Sequence, residues 1–330
     1  MALFSAPEKE VGLMLDKLSL AGLVPVIKVE DARDAVPLCA ALKRGGLPVA
    51  EITFRTPAAE EAIRLVHEAL PDVLLGAGTV LNTAQADAAW KAGAGYLVTP
   101  GMNPEVLRHA LEKGYPILPG CSSPSDIEAA LEMGIRMVKF FPAEALGGLD
   151  AVKALAGPYG DMRFVPTGGV NEKNVAAYLR HPKVAACGGS WMVPQDAIEK
   201  KDWARIQSLA AEAVQLMLGF NLAHIGINCR DAGEAAHTAG LLAELLGWPA
   251  REGANSLFAG EGIELMKQQG YGAKGHVGIG CHHILRAKWH LERRGVRFNE
   301  ASAKKGPDGR LRLIYLADDI AGFAFHLIEA

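Results

Sequence analysis

Short apolar runs alternate with helical patterns over residues 23–192. The runs are rich in β-branched residues, and the stretches between them, such as DAVPLCAALKRGG and NEKNVAAYLRH, space their apolar positions as helices do. Eight runs follow this pattern, at residues 23–29, 48–54, 73–80, 96–100, 115–121, 137–143, 163–169 and 184–191. Strands that alternate with helices form βαβ units, and these predict a parallel sheet.

Two α/β architectures compete for this pattern. A TIM barrel, or (β/α)8 fold, takes eight strands that are each followed by a helix, in about 200–250 residues. An open doubly wound sheet would carry a glycine-rich turn after its first strand, and the stretch VIKVEDARD contains no G-x-G-x-x-G. The sequence therefore favours an α/β fold of the TIM-barrel type.

The pattern changes after a long helical stretch at about 196–218. The segment LAHIGINC, residues 222–229, recurs as KGHVGIGC at 274–281, and a helical stretch follows each copy. The two halves end in similar strands, GEGIELM and AGFAFHLI, so the internal repeat is about 50 residues long. We predict a boundary near Gly219, with a barrel domain at 1–218 and a smaller α+β domain at 219–330.

The composition excludes several classes of protein. Half of the residues are apolar, and a net charge of −3 gives no general attraction to nucleic acid or acidic membranes. The five cysteines include no CxxC pair, and no apolar run reaches the ~20 residues that span a bilayer. The start, MALFSAPEKEVGLML, lacks the basic region and long apolar core of a signal peptide. We expect a cytoplasmic enzyme or binding protein.

One lysine interrupts an apolar strand. The stretch MVKFFPAE, residues 137–144, places Lys139 between Val138 and Phe140. An unpaired buried ammonium group is costly, and many such lysines lie at a strand end and extend to water. The alternative is a functional amine that faces the barrel interior.

A carboxylate and a guanidinium on the second run favour the functional alternative. Glu51, Thr53 and Arg55 alternate and so share one face of the strand, although a structural ion pair would also explain them. A neutral amine at Lys139 can form an imine with a ketone, and Glu51 can move protons for it. Arg55 can bind the carboxylate of a 2-oxo acid through two hydrogen bonds.

Glycines at the ends of three strands complete the pattern. The third run ends in GAGT, the seventh in PTGG and the eighth in GGS. Glycines after the seventh and eighth strands of a barrel are typical of a phosphate site. These residue types together predict a Schiff-base aldolase for a phosphorylated 2-oxo acid. A metal-dependent aldolase is disfavoured because His67, His109 and His181 all fall on predicted helices or their ends.

The motifs AEITFRT, GAGTVL, MVKFFPAE, VPTGGV and GGSWMVP together resemble those of the 2-keto-3-deoxy-6-phosphogluconate aldolases. The resemblance covers about residues 10–218, and the family also cleaves 4-hydroxy-2-oxoglutarate. It implies a barrel, a homotrimer, a covalent imine in place of a cofactor, and cleavage to pyruvate and glyceraldehyde 3-phosphate.

The resemblance also implies roles for individual residues. It makes Lys139 the imine-forming residue, Glu51 the proton shuttle and Arg55 the carboxylate ligand. The other implied substrate-binding residues are Thr79, Pro100, Phe141 and Thr167 around pyruvate and Gly168, Gly169, Gly189 and Ser190 at the phosphate. Lys28 is the rival nucleophile, and it either touches the anionic end of the substrate or faces solvent.

Seven of the ten histidines follow residue 219. The repeat there resembles the glyoxalase-like, vicinal-oxygen-chelate fold of paired βαβββ modules. That resemblance implies four ligands for a divalent metal such as Zn, Ni, Fe or Mn: His224, Glu264, His276 and His326. The family usually has Glu where this chain has His326, and the first module looks short enough to lack or abbreviate a strand. His237, His282, His283 and His290 are read as helix-surface residues, and Cys229 and Cys281 as small core residues.

Two alternatives stay open. The second domain is either a metal site or a metal-free, degenerate module. The chain as a whole is either a fused aldolase or a metabolite-binding or regulatory protein with a relic barrel. As an aldolase, it would act on a small phosphorylated 2-oxo acid or on an unphosphorylated 2-oxo acid related to it. Neither reading involves nucleic acid or a membrane as a partner.

Overall fold

The computed structural model describes residues 6–329, with side chains from residue 14 onward. The chain divides into two compact units, Met1–Met217 and Leu218–Ala330. Across the described residues, no helix is both long enough and apolar enough to cross a membrane.

The first unit alternates strands and helices. The strands in its described part are β1 (Leu23–Ile27), β2 (Val49–Thr53), β3 (Leu74–Gly78), β4 (Tyr96–Val98), β5 (Ile117–Leu118), β6 (Gly120–Cys121), β7 (Met137–Phe140), β8 (Arg163–Pro166) and β9 (Cys187–Gly189). The helices are α1 (Ala6–Ala21), α2 (Ala35–Arg44), α3 (Ala59–Ala69), α4 (Thr83–Lys91), α5 (Pro104–Lys113), α6 (Pro124–Glu132), α7 (Gly148–Ala156), α8 (Val175–Arg180), α9 (Gln195–Glu199) and α10 (Trp203–Leu218), with 3₁₀ turns at Ala32–Asp34 and Glu144–Leu146.

The parallel strands of this unit follow one another around a ring. Six form a sheet in the order β5-β4-β3-β2-β1-β9, and three form a second sheet in the order β6-β7-β8. All of these pairings are parallel. A parallel bridge joins Phe164 of β8 to Val184, which precedes β9, and another joins Thr167, just after β8, to Gly188 of β9. The unit is an α/β fold whose curled parallel sheet is consistent with the predicted barrel.

The fifth predicted strand is interrupted. β5 pairs with β4, whereas β6 pairs with β7, and Pro119 lies between the two short strands. Proline has no N–H to donate, so it breaks the hydrogen-bond ladder at this point. The carbonyl of Pro119 still accepts a hydrogen bond from the backbone N–H of Lys139, at 2.8 Å, which keeps β7 in place beside it.

The helices begin and end where the sequence provides capping residues. Before α5, the Asn103 side chain accepts from two backbone N–H groups, and Pro104 occupies the first turn, where its missing donor is not needed. Gly114 ends the helix in the left-handed region, at φ 72°. The face of α5 that contains Leu107 is buried. Full burial of one leucine side chain contributes about 2 kcal/mol to the free energy of folding.

The long helix predicted at 196–218 is wrong, because the structure has two helices there. α9 ends at Glu199, and Lys201 adopts a positive φ of 54° that no α-helix accommodates. The side chain of Asp202 then accepts from the backbone N–H of Arg205 at 3.0 Å and caps the start of α10. Lys201 also pairs with Asp34 at 2.8 Å.

The second unit is mostly sheet. Its strands are β10 (Asn221–Asn228), β11 (Ala250–Glu252), β12 (Ser256–Ala259), β13 (Ile263–Met266), β14 (Gly275–Cys281), β15 (Phe298–Lys305), β16 (Leu311–Leu316) and β17 (Phe323–Glu329), and its helices are α11 (Ala232–Leu246) and α12 (Ile284–Glu292). Each half of the repeat therefore consists of one strand, one helix and three strands. All eight strands form one sheet, in the order β11-β12-β13-β10-β14-β17-β16-β15.

The first half of the repeat has all of its strands, so of the two predicted alternatives, a missing or an abbreviated strand, the structure has the abbreviated one. β11 is present but has three residues, all exposed. The helix α11 packs on β13 through a small cluster of Cys229, Ala235, Ala239 and Leu265. Cys281 is likewise fully buried, so both cysteines of the repeat are small core residues, as the sequence predicted.

Candidate active site and candidate metal centre

Lys139 and Glu51 form a buried pair inside the first unit. Lys139 lies on β7 and Glu51 on β2, and Lys139 Nζ is 3.1 Å from Glu51 Oε1. The two residues are 6 % and 3 % exposed, so water screens them little. The alternative in which Lys139 extends to bulk solvent is therefore wrong: the side chain faces the interior and meets a carboxylate from a distant strand.

Glycines of β3 make room for Glu51. A Cβ atom built on Gly78 would lie 2.3 Å from Glu51 Oε1, and one built on Gly76 would lie 2.2 Å from the ring of Tyr96. Tyr96 is fully buried below this carboxylate, and burial, together with the charge of Glu51, raises its pKa well above the ordinary value. Tyr96 was not among the residues predicted from the sequence, and the signal for it is Gly76, which lies opposite it in register on β3.

Arg55 lies just beyond the end of β2, and its side chain is exposed, unlike that of Glu51. Its Nε donates to Thr79 Oγ1 at 3.4 Å, and no carboxylate pairs with it among the described residues. Thr79 has a positive φ of 57°, which is unusual for a β-branched residue and marks a locally strained backbone. Thr53, in contrast, donates its hydroxyl to the carbonyl of Ile27 at 2.8 Å and has a structural role.

A cavity of 460 Å³ opens at the carboxyl ends of the strands. Seven of the predicted substrate-binding residues line it: Arg55, Phe141, Thr167, Gly168, Gly169, Gly189 and Ser190. The Phe141 ring lies 5.5 Å from Lys139 Nζ and connects the cavity to the buried amine. The other two predicted residues sit beside this group: Thr79 contacts Arg55, and the Pro100 backbone lies against Gly120, the register partner of Lys139.

The glycine-rich turns expose backbone that larger residues would block. Gly168 and Gly169 have φ values of 95° and 83°, which favour glycine. A Cβ on Gly169 would meet Glu144 at 2.5 Å, and one on Gly189 would meet the ring of Trp191 at 1.9 Å. These glycines let Glu144 and Trp191 pack against the two turns, and the backbone of the turns lines the cavity beside the hydroxyl of Ser190, an arrangement suited to an anion.

Glu144 and Tyr178 hold the Gly168 turn, and neither role was predicted from the sequence. The backbone N–H of Glu144 donates to the carbonyl of Gly168 at 3.0 Å. The Tyr178 hydroxyl donates to the Glu144 carboxylate, and burial with this hydrogen bond raises the pKa of Tyr178. The available signal is Glu144 itself, a charged residue that follows the apolar run of β7.

A second cluster lies in the second unit, where three of the predicted metal ligands, His224, His276 and His326, group together and the fourth, Glu264, lies beside two of them. His224 Nε2 is 3.2 Å from both His276 Nε2 and His326 Nε2. Glu264 Oε2 is 3.0 Å from His276 Nε2 and 3.4 Å from His224 Nε2. The four side chains come from β10, β13, β14 and β17, the four central strands of the sheet.

The repeated His-x-Gly pattern explains how the rings fit. His224 pairs in register with Gly278, and Gly226 pairs with His276. A Cβ on Gly226 would lie 2.0 Å from the His276 ring, and one on Gly278 would lie 2.5 Å from the His224 ring. Each glycine therefore leaves the space that the histidine of the other copy fills.

The charges of this cluster are set by burial and by its own members. Burial lowers the pKa of His224, with Glu264 opposing it and His276 adding to it, and burial with both neighbouring imidazoles lowers the pKa of His326 to about 3. Burial acts to raise the pKa of Glu264, but hydrogen bonds from His276 and Ser256 outweigh it and hold the value at about 2. Tyr315 stacks on His326 with ring centroids 4.7 Å apart. At neutral pH, His224 and His326 are thus uncharged imidazoles close to an ionised Glu264.

The remaining histidines of this unit differ from the prediction. His237 is exposed on α11, as expected. His290 is only 2 % exposed and packs edge-on against Trp289, so its placement on a helix surface is wrong. His283 caps α12 by accepting from the backbone N–H of Arg286 at 3.3 Å. In the first unit, His109 pairs with Asp87 at 2.8 Å on the helical layer, away from the buried lysine pair.

Comparison with known families identifies the family of the first unit. A family model described as the KDPG and KHG aldolases matches residues 14–209. The chain belongs to this aldolase family. It is therefore a carbon–carbon lyase, and the predicted resemblance of the first unit is confirmed. Residues 218–330 lie beyond the match, and the glyoxalase-like resemblance of the second unit stays a prediction.

Individual relatives agree with this assignment. The 2-dehydro-3-deoxy-phosphogluconate aldolase of Treponema pallidum is 49 % identical over 204 residues, which are 62 % of this chain and 97 % of the relative. The enzyme of the same name from Haemophilus influenzae is 46 % identical over 204 residues, covering 62 % and 96 %.

Solved aldolase structures share the fold of the first unit. The KDPG aldolase of Legionella pneumophila, solved with pyruvate as a covalent carbinolamine, is 40 % identical, with a TM-score of 0.58 over 60 % of this chain and 96 % of that chain. The 2-keto-3-deoxy-6-phosphogluconate aldolase of Zymomonas mobilis, solved with 3-phosphoglycerate, is also 40 % identical, with a TM-score of 0.58 over 62 % and 95 %.

Proposed function

We propose that the barrel cleaves 2-keto-3-deoxy-6-phosphogluconate to pyruvate and glyceraldehyde 3-phosphate through an imine at Lys139. The observation that carries this proposal is the buried contact between Lys139 Nζ and Glu51 Oε1 at 3.1 Å. A carboxylate at this distance can take a proton from the ammonium group and leave the neutral amine that attacks a ketone. The relatives named for this reaction support the choice of substrate.

Glu51 then serves each proton transfer. The amine adds to the C2 ketone, and protonation of the resulting hydroxyl releases water and gives the iminium. Removal of the C4 hydroxyl proton by the carboxylate breaks the C3–C4 bond, with the electron pair passing into the iminium to form an enamine. Return of a proton to C3 and hydrolysis by water release pyruvate and restore the amine.

The surrounding residues orient the two ends of the substrate. Arg55, with its guanidinium steadied by Thr79, binds the carboxylate next to the ketone, and Thr167 and Phe141 enclose the same end. Pro100 packs beside the strand of Lys139. The backbone of Gly168, Gly169 and Gly189, with the Ser190 hydroxyl, binds the phosphate. The smaller 4-hydroxy-2-oxoglutarate fits the same amine and carboxylate sites, and we propose it as a second substrate.

Measuring pyruvate release from 2-keto-3-deoxy-6-phosphogluconate tests this proposal. Wild-type protein should turn over the substrate, and Lys139→Met, which preserves length but removes the nucleophile, should abolish turnover. Lys43→Met, at an exposed lysine outside the cavity, is the matched control and should turn over the substrate as the wild type does. A relic barrel with a regulatory role predicts no turnover in the wild type; the intact pair of Lys139 and Glu51 argues against that reading.

We also propose that the second unit is a glyoxalase-like module that holds a divalent metal ion. The ligand nitrogens of His224, His276 and His326 lie within 4.8 Å of one another, and Glu264 Oε2 lies 3.0 Å and 3.4 Å from those of His276 and His224. An ion bound at about 2.0–2.1 Å by tetrahedral ligands separates those ligands by about 3.3 Å. A single N–H on His224 cannot satisfy three such neighbours at once, whereas a cation can. The residues therefore fit a metal, held by His224, Glu264, His276 and His326.

The donor set limits the chemistry and the metal. Three imidazoles and one carboxylate suit Zn, Ni, Fe or Mn, and a bound ion would act as a Lewis acid toward an oxygen ligand. Ser256 donates to Glu264 Oε1 at 2.6 Å and so orients the carboxylate. His326 Nδ1 has no hydrogen-bond partner among the described residues, and Tyr315 instead fixes that ring by stacking.

Metal analysis of the purified full-length protein tests this second proposal. The wild type and the control His237→Ala should contain about one ion per chain, and His276→Ala should contain far less. Absorption bands of cobalt-substituted protein give an independent readout of the ligand set. A metal-free wild type that takes up no cobalt would show a degenerate module instead.

The oligomer and the compartment are the last elements of the proposal. We propose a homotrimer on the basis of the aldolase resemblance, and sedimentation analysis of the full chain tests it. We propose a cytoplasmic location because the five cysteines are buried free thiols, as is usual in a reducing compartment. Cell fractionation tests that part.

A further inference from the structure

We propose that Lys28 is a specificity-determining residue of the aldolase site, where its ammonium group binds the phosphate of the substrate. This inference rests on the proposed function and extends it to a residue outside the motifs that define the site. Lys28 immediately follows the end of β1, at the carboxyl edge of the strands, and lines the 460 Å³ cavity.

The position of Lys28 in the ring places it beside the phosphate turn. β1 lies between β9 and β2 in the sheet, and Pro25 is in register with Gly189. The chain leaves β1 at Ile27, which is in register with Ile52 on the other side. Lys28 therefore stands on the rim between the Gly189 turn of β9 and the Arg55 segment that follows β2.

The charges that line the cavity point to the same role. Among its described lining residues, Lys28 and Arg55 are the two cations, and there is no carboxylate. The substrate has two anionic ends, a carboxylate next to the ketone and a phosphate at the other end. Arg55 is held by Thr79 on the side of Glu51 and serves the first end. Lys28 is the cation that is left for the second end.

The present partner of Lys28 is easily displaced. Lys28 Nζ lies 2.6 Å from Glu30 Oε1, and the two side chains are 44 % and 61 % exposed. Exposed ion pairs of this kind contribute little stability, because water screens them. A phosphate dianion in a partly enclosed cavity attracts the ammonium group more strongly than a single solvated carboxylate does. Glu30 thus holds the lysine ready at the rim and competes weakly with the substrate.

Steady-state kinetics of Lys28→Gln provide the test. With 2-keto-3-deoxy-6-phosphogluconate, the KM should rise by about tenfold, the effect of one charge-assisted hydrogen bond, with kcat within twofold of wild type. With the same sugar acid lacking its phosphate, both constants should stay within twofold. Lys43→Gln is the matched control, because Lys43 is 42 % exposed and has one carboxylate partner, Asp72, at 2.9 Å.

Two further variants distinguish the loss of the charge in Lys28→Gln from misfolding of that variant. Lys28→Arg keeps the charge and should stay within threefold of wild type, and Glu30→Gln should lower the KM for the phosphorylated substrate about twofold. A KM for Lys28→Gln that is unchanged, or that rises equally for both sugar acids, overturns the proposal.

The outcome can be separated from failure of the aldolase assignment. If the wild type cleaves neither sugar acid, the proposed function fails, and Lys28 is then judged by calorimetric titration with inorganic phosphate. Loss of phosphate binding in Lys28→Gln but not in Lys43→Gln supports the site. Equal affinity in all three proteins refutes it.

Discussion

Replacing Glu51 by glutamine tests the proton shuttle directly, because the change removes one charge and retains the shape of the side chain. In the structure, this carboxylate is 3 % exposed and lies 3.1 Å from Lys139 Nζ. Among the described residues, Lys139 pairs with no other carboxylate. The amide of glutamine can still accept a hydrogen bond from the amine, but it cannot carry a proton between the amine, the C4 hydroxyl and C3.

The expected loss follows from what a positioned acid–base group contributes. Such groups accelerate proton transfer by about 10²–10⁴-fold, so kcat for cleavage should fall by at least about 100-fold, or about 2.7 kcal/mol in activation free energy. Removing one member of a buried pair also destabilises the fold, by up to about 3–5 kcal/mol when the other charge stays unpaired. Circular dichroism and a thermal melt therefore accompany every kinetic measurement.

Exchange of the pyruvate methyl protons with deuterated water, followed by NMR, isolates the shuttle from bond cleavage. The exchange requires only the imine, the enamine and a group that moves protons at C3. Wild type and the control Glu60→Gln, an exposed change on α3, should exchange at the same rate. Glu51→Gln should exchange at least 100-fold more slowly. A rate within threefold of wild type in a folded Glu51→Gln protein would refute the assignment of the shuttle.

Three further predictions address packing, pH and the independence of the two units. Gly78→Ala should lower kcat at least tenfold, because a methyl group at Gly78 would lie 2.3 Å from Glu51 Oε1. The control Gly160→Ala should leave kcat unchanged, because a methyl group there meets nothing within 4 Å. Steady-state kinetics and a thermal melt of each variant check this prediction. Burial and the charge of Arg286 lower the pKa of His283 from 6.5 to about 4, so the unfolded chain binds more protons between these values and acid destabilises the fold. The free energy of unfolding should fall by about 2 kcal/mol more in wild type than in His283→Asn between pH 7.5 and 5, measured by urea titration of tryptophan fluorescence; equal losses would contradict it. His276→Ala should leave aldol cleavage within twofold of wild type, and a large loss would show that the units depend on each other.

Much of the first unit could be predicted from local pattern. Seven of the eight apolar runs each contain one strand of the ring, because a parallel strand covered on both faces reads as a continuous apolar run. The fifth run became two strands because Pro119 cannot donate to the ladder. The split of α9 from α10 depends on the backbone of Lys201, and a lysine gives no local signal for a positive φ.

The members of the active site were predictable where strand alternation decides direction. The period of two residues placed Lys139 and Glu51 on inward faces, and the structure brings them together. The contacts of Tyr96, Glu144 and Tyr178 were not predictable in this way. These contacts join residues from distant parts of the chain. Only in the folded structure do the glycines beside these side chains show that a larger residue would collide with them.

In the second unit, the repeat carried most of the information. The recurrence of His-x-Gly at 224–226 and 276–278 predicted two equivalent strands, and their antiparallel register fits each ring over the other glycine. The three-residue strand β11 was too short and too polar to detect. The prediction for His290 was wrong because this position of the helix is buried. A polar residue type gives no indication of such burial.

Trapping with pyruvate and borohydride tests the central claim most directly, because reduction fixes the imine to the residue that formed it. Mass spectrometry of the digested protein should find one reduced pyruvate adduct per chain, on the peptide that contains Lys139, and none in Lys139→Met. An adduct on Lys28, or no adduct in active wild-type protein, would contradict the account.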